Sequence, residues 1–370
     1  MRAVLVSADA ARPGGRAPLA ALAALGHEVT VAVPERWRDA TGREHRVTRE
    51  RDGALAIHPI PVSGDLAAPE ALGWSGSALR KLLADVSPHV VDSTLPPWAP
   101  GSAAAARAAR KGKRPFVAAL TAAVAPSLGW SARRREADVL AIAAGVTAHN
   151  SLALQRAPSR CGTLPHAIVP RVPIDAPVSA PARRPDGMPF TVGFIGRLVP
   201  ERGLDVLLRA LALLTGDWWL QVTGNGPERE PLEALASRLG LAGRTEWHDG
   251  WPSPSIDGHW DAYDVVAVPS RATPAWADGD AAVALRAMAH ALPVVVAGTG
   301  ALGEMVGDAG LVVPEGDVEA TAEALHRLRE SAAERRAFGQ AGRQRVLAQF
   351  SADALARRRA EVWDRVRVGL

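Results

Sequence analysis

The chain has one cysteine, Cys161, and three lysines, Lys81, Lys111 and Lys113, in 370 residues. A single cysteine excludes an intramolecular disulfide and any metal site built from several thiolates, and it makes a reducing, cytoplasmic setting the default. The scarcity of lysine leaves 40 arginines among the 43 basic residues. With the abundance of alanine, that reads as a GC-rich coding bias rather than arginine-specific chemistry. No apolar run reaches the ~20 residues of a membrane span. The opening MRAVLVSADA has too short an apolar run for a signal peptide and passes straight into a strand-like pattern. The segment Ser7–Gly15 after the first strand lacks a GxGxxG, which argues against a nicotinamide-dependent dehydrogenase. His27, His149, His166, His248 and His290 show no metal-ligand spacing to one another and read as surface or structural residues.

What is present is a soluble globular composition, 48% hydrophobic and 22% charged, long enough for two domains. The charge is uneven: residues 1–182 carry a net +8 and residues 183–370 a net −4. A basic first half suits an anionic partner such as a membrane surface or an acidic acceptor, and ordinary drift of surface arginines explains it equally well. No nucleic-acid partner is expected. The cluster Arg107–Arg114, with Arg133–Arg135, reads as a solvated helix face or as a phospholipid-facing patch.

Short apolar runs alternate with helical stretches in both halves. Strands are expected at Arg2–Ser7, Glu28–Val33, Val90–Asp92, Phe116–Leu120 and Gly145–Ala148, with 36–60 interrupting them as a hairpin or long loop. Residues 176–189, APVSAPARRPDGMP, read as a linker. The alternation then restarts with strands at Phe190–Ile195, Trp219–Thr223, Thr245–His248, Val265–Val268 and Val294–Ala297, one helix over Val318–Gly339 and a final amphipathic helix at Asp353–Val368. This rhythm predicts an α/β chain of two Rossmann-like domains facing across a cleft, 1–182 and 183–352.

The second half holds the motifs. GFIGRLVPERGLDVLLRAL places Gly196 and Arg197 after a strand and Arg202 at the start of a helix, which makes an anion site of two guanidiniums and a helix N-terminus. A second strand leads into Gly224-Asn225-Gly226, a turn that admits a ligand close to the backbone or is a plain tight turn. PSRATPAWADGDAAVALRAMAHALP follows, with Ser270, Trp276, Asp278 and Arg286, and then PVVVAGTGALGE with Glu304. Trp218, Trp219 and Trp247 read as core; Trp276 is the better candidate for a sugar platform. Asp278-Gly-Asp280 has the form of a metal-binding DxD, but a bound metal is not expected.

This ordered series resembles the donor domain of family 4 glycosyltransferases, which have the type B fold. The resemblance is strong over ~190–320 and looser over the first half, where Gly14-Gly15 matches a glycine loop and Ala148–Ser151 and Val169–Asp175 match segments leading into the linker. It implies a retaining hexosyltransferase that uses a nucleotide-diphosphate sugar, needs no cofactor or metal, and acts on a glycan or lipid-linked acceptor, either free in the cytoplasm or peripheral at the inner membrane face. It also implies that 353–370, with the final helix, crosses back onto the first domain. Arg197 and Arg202 match the residues that hold the donor diphosphate. Asp278 matches the first of two glutamates eight positions apart and is the catalytic-site candidate near the sugar hydroxyls. Arg286 stands where the second glutamate accepts from the ribose, a contact that arginine cannot make. Asp280-Ala281 replaces a Phe-Gly, and Thr121, with Gly14 and Gly15, marks the acceptor side. The exchanges leave open an alternative: a catalytically silent subunit acting through a partner glycosyltransferase or by binding a glycan.

Overall fold

The computed structural model describes residues 1–39, 41–178, 188–250 and 260–368. The chain divides into two compact units, Met1–Pro173 with Ala352–Leu370, and Ile174–Ser351. Ile174 joins the second unit because its N–H donates to Phe350 O and its side chain enters that unit's core. Most of the expected linker, 179–187, lies outside the described residues.

The first unit begins with β1 (Arg2–Val6) and β2 (Glu28–Pro34). A small hairpin, β3 (Arg36–Arg38) with β4 (Glu44–Arg46), precedes a second, β5 (Glu50–Asp52) with β6 (Leu55–Ile60). β7 (Val62–Ser63) pairs with β8 (Gly73–Trp74); then come β9 (Val90–Ser93), β10 (Phe116–Leu120), β11 (Gly145–Ala148) and β12 (His166–Ile168). The main sheet runs β12-β11-β10-β9-β1-β2-β6-β5 and is parallel except at the β5–β6 edge. The segment 36–60 therefore does not only interrupt the sheet but supplies two of its strands, β5 and β6. The buried Leu55, Ile57 and Ile60 are irregularly spaced and follow a charged hairpin, which hid β6 in the sequence. β1, β9, β10 and β11 are buried on both faces because helices cover both sides of a parallel sheet.

The second unit contains β13 (Phe190–Ile195), β14 (Trp218–Thr223), β15 (Thr245–His248), β16 (Val265–Val268), β17 (Val294–Ala297) and β18 (Leu311–Val313). They form a parallel sheet in the order β15-β14-β13-β16-β17-β18, the doubly wound order in which the chain reverses direction between β13 and β16. Trp218 is fully enclosed in this unit's core, and Trp247 packs half-buried against it. The long helix expected over Val318–Gly339 is two helices, Val318–Glu330 and Ala332–Gln349. Ser331 ends the first and starts the second, its side chain accepting from the Glu334 N–H as an N-cap.

The final helix, Ala352–Val368, belongs to the first unit. Its buried face, with Ala356, Ala360, Val362, Trp363 and Val366, packs into the core beneath β1 and β2. It is pinned by a buried ion pair: Arg359 Nη1 donates to Asp92 Oδ2 at 2.8 Å, and Trp363 Nε1 donates to the same oxygen at 2.7 Å. Asp92 is fully buried, and its Oδ1 has no hydrogen-bond partner. Removing one member of such a pair strands a buried charge, at about 3–5 kcal/mol. Asp92→Ala is therefore expected to lower urea-unfolding stability by about that much, and Asp92→Asn, which also strands the Arg359 charge but keeps an acceptor for Trp363, by most of it. Near-unchanged stability in Asp92→Asn would show that the charge pair is not what holds the helix.

Candidate active site

The switch point of a doubly wound sheet leaves a crevice at the carboxyl ends of the strands. In the second unit that crevice lies where the loops after β13 and β16 meet, and the two are laced together. Arg271 N–H donates to Glu201 O at 2.8 Å, while the Arg271 guanidinium reaches Pro200 O and the Asp205 carboxylate at 2.8 and 2.7 Å. Gly203, at φ +68°, lies so close to Pro269 that a Cβ there would stand 2.0 Å from its carbonyl oxygen. The turn after β14 is stitched to the same place. Leu198 N–H donates to Asn225 O at 2.9 Å, and a Cβ on Gly224 would sit 1.8 Å from Gly196 O. The Gly224-Asn225-Gly226 turn thus needs glycine for a close approach of its own backbone to the β13 loop.

Arg202 and Asp278 meet at this crevice. Arg202 Nη1 donates to Asp278 Oδ2 at 2.8 Å, with the side chains 20% and 9% exposed. The other carboxylate oxygen, Oδ1, accepts from Ala281 N–H at 2.9 Å and so fixes the turn that enters the helix Ala282–Ala289. The Asp278 backbone is fixed as well, since its carbonyl accepts from Ala301 N–H at 2.7 Å beside Gly300 in the loop after β17. The Arg202 guanidinium also lies over the Trp276 ring, 4.8 Å from its centroid, a cation–π contact that occupies one face of the expected platform.

Two polar groups here lack partners. Arg202 Nε and Ser270 Oγ are both buried without a hydrogen bond, an uncommon state that points to a missing ligand or water. Arg197 is exposed in the same loop as Arg202, just past Gly196. Arg286 is half-buried on the helix Ala282–Ala289, and Glu304 is exposed on the short helix Leu302–Val306. Ala281 holds φ +48°, a left-handed conformation that a glycine would adopt without strain. Among the described residues no group of three His, Cys, Asp or Glu is placed to hold a metal ion.

The expected acceptor-side residues lie in the first unit, at the carboxyl ends of its strands. Gly14 and Gly15 form a 3-10 turn after β1, and a Cβ on Gly15 would stand 2.1 Å from Asp9 O. Thr121 follows β10. Beside it the structure brings His149, which the sequence reading set aside for want of a ligand partner. Burial first, and the charges of Arg171 and Arg359 next, push the His149 pKa down to about 3 against a backbone hydrogen bond with Thr121 that raises it. His149 is therefore neutral at physiological pH, a polar group rather than a charge.

Comparison with known proteins follows this geometry. Residues 189–331 match the family model described as glycosyl transferases group 1. The chain is 37% identical over 156 residues to a GDP-mannose-dependent alpha-(1-6)-phosphatidylinositol monomannoside mannosyltransferase of Mycolicibacterium smegmatis, covering 40% of this chain and 41% of that one. It is 36% identical over 162 residues to a D-inositol 3-phosphate glycosyltransferase of Corynebacterium jeikeium, covering 40% and 38%. These matches span less than half the length of the curated relatives. By fold, the chain is similar along its whole length to sucrose-phosphate synthase of Thermosynechococcus elongatus, with a TM-score of 0.69, 19% identity and 100% coverage of both chains. It is also similar to Anabaena HepE in complex with UDP, with a TM-score of 0.66, 17% identity and coverage of 98% and 99%. The chain has the type B glycosyltransferase fold, and residues 189–331, in its second unit, are similar to group 1 glycosyl transferases.

The depressed His149 pKa sets an acid dependence. Between the ordinary 6.5 and about 3, the unfolded chain binds a proton at this position that the folded chain refuses. Folding stability is then full above pH 6.5 and falls through that window as the pH drops, by up to about 1.4 kcal/mol per pH unit. His149→Asn is expected to flatten that part of a stability-against-pH curve, and an unchanged slope would refute the assignment.

Proposed function

We propose that the protein is a retaining hexosyltransferase whose donor is a nucleotide-diphosphate sugar bound in the second unit. The observation that supports this reading is the pair of unpartnered buried groups, Arg202 Nε in the loop after β13 and Ser270 Oγ after β16, at the sheet's switch point, with Arg197 following β13 in the same loop as Arg202. In transfer, the bond from the sugar's anomeric carbon to the diphosphate oxygen breaks, and an acceptor hydroxyl bonds to that carbon and gives up its proton to the departing diphosphate oxygen. Negative charge grows on the departing diphosphate. Arg197 and Arg202, aided by the N-terminus of the helix Leu204–Leu213, stabilise that charge. Asp278, held by Arg202 and by the Ala281 and Ala301 N–H groups, orients the sugar. Gly196, Gly224, Asn225 and Gly226 shape the backbone cradle, and Trp276 and Glu304 border it.

The acceptor in this reading is a glycan or a lipid-linked sugar near Gly14, Gly15 and Thr121. The basic charge of the first unit meets an anionic membrane surface, which makes the protein peripheral at the cytoplasmic face. The names of the curated relatives, which specify GDP-mannose and inositol-phosphate or phosphatidylinositol acceptors, support a hexose donor and a phosphate-bearing acceptor. Arg286 replaces an expected acceptor for the ribose with a donor, so recognition of the nucleoside must be rebuilt around it.

The test is a panel of UDP- and GDP-hexoses scored for hydrolysis and for thermal shift. At least one donor is expected to be hydrolysed and to raise Tm, and Arg197→Ala is expected to lower kcat/KM by about 100-fold or more, as for loss of one charge-stabilising donor. No turnover and no nucleotide-dependent Tm shift across the panel would overturn the reading in favour of a silent subunit.

A further inference from the structure

The first unit carries a basic cavity at the end of its sheet opposite to Thr121 and His149. It has a volume of about 660 Å³, within the size range of small-molecule sites, and far more room than a lone phosphate ion needs. Arg107 and Arg110 line it from the helix Pro100–Lys111, and Lys113 and Arg114 from the turn that enters β10. The apolar wall is Val139 and Ile142, from the helix Trp130–Ile142, with the alanines beside them.

Three features separate this cavity from an ordinary charged surface. First, its one acidic residue, Asp138, is engaged by Arg134 at 3.5 Å, and among the described residues Arg107, Arg110, Lys113 and Arg114 form no ion pair. Second, these cations are not consumed as a helix cap. The last carbonyls of Pro100–Lys111 are taken by backbone N–H groups: Gly112 to Ala108, Arg114 to Ala109 and Lys113 to Arg110, at 3.0, 2.9 and 3.1 Å. Third, Lys113 holds φ +52°, a left-handed conformation unusual for a lysine, in the turn that sets Lys113 and Arg114 on the cavity wall. The surrounding edge is also cationic. His89, near the start of β9, has its pKa lowered by burial and then by Arg2, the N-terminus, Arg367 and Arg114.

Four uncompensated cations around an apolar wall fit a multiply charged oxyanion carried on an apolar or neutral body, and guanidiniums bind such groups in a forked, bidentate way. We propose that this cavity binds a phosphate ester, its phosphate held by Arg107, Arg110, Lys113 and Arg114 and its body lying on Val139 and Ile142. It gives a location to the anionic contact proposed for the first unit, and it does not depend on the donor reading. The phosphate can be that of a soluble ester or of a lipid headgroup.

The experiment titrates the full chain with glycerol phosphate by calorimetry, and with phosphatidylcholine vesicles with and without phosphatidylglycerol by co-sedimentation. Arg107→Ala/Arg110→Ala, both exposed on a helix, is the site variant, and Arg197→Ala is the control for the donor site. Binding that weakens about ten-fold or more in the double variant and is unchanged in Arg197→Ala is the expected result. A response to glycerol phosphate assigns a soluble ester, and one confined to phosphatidylglycerol vesicles assigns a lipid headgroup. No binding of either probe overturns the proposal. So does glycerol phosphate binding lost only in Arg197→Ala. Vesicle binding equally strong in the double variant also overturns the cavity, while leaving a broader anionic surface contact standing.

Discussion

The ion pair between Arg202 and Asp278 is the contact around which the second unit's site is organised. Arg202 comes from the loop after β13, and Asp278 from the loop after β16. The same carboxylate fixes the turn that enters the helix Ala282–Ala289, and the Asp278 backbone holds the loop after β17. One residue thereby sets the mutual positions of three strand-end loops. The pair is largely buried, where an ion pair gains little net stability against its desolvation cost and is better understood as fixing geometry. Its charge balance also has a consequence for ligand binding. A diphosphate that approaches Arg202 must compete with a carboxylate already in contact with it.

Both units follow the same winding. In each, the chain reverses direction beside the first strand, between β1 and β9 in one and between β13 and β16 in the other. At each reversal a charged pair sits near the carboxyl ends of the strands. In the first unit it is Asp92 with Arg359, sealed in the core and given to holding the final helix. In the second it is Asp278 with Arg202, partly accessible and left with an unpartnered guanidinium nitrogen. The same topological opportunity is used for structure in one unit and offers a binding crevice in the other.

The alternating apolar runs made most of the fold legible. β10, β11, β13, β16 and β17 lie where the pattern placed them, because doubly covered parallel strands are buried and largely apolar throughout; the edge strand β15, half exposed, also lies where it was expected. β12 and β18 were not foreseen, since three residues carry too little pattern. β6 was obscured because a polar hairpin precedes it. The break at Ser331 depends on a side-chain cap within a helical composition, which periodicity does not register. For the site, motif order located Gly196, Arg202, Gly224 and Asp278 on neighbouring strand ends. The partnership of Arg202 with Asp278 was not legible, because 76 residues separate them and only the sheet order brings them together. Nor was His149 beside Thr121, for the same reason.

The most direct measurement is the affinity of a nucleoside diphosphate for the protein and for Asp278→Asn. Asparagine keeps an oxygen to cap Ala281 while removing the charge that holds Arg202. If Arg202 is the diphosphate ligand and Asp278 its competitor, Asp278→Asn should bind the diphosphate more tightly, by about three- to ten-fold, in the range expected for relief of one charge-assisted contact. Weaker binding in Asp278→Asn, with the fold intact by circular dichroism, would contradict the account.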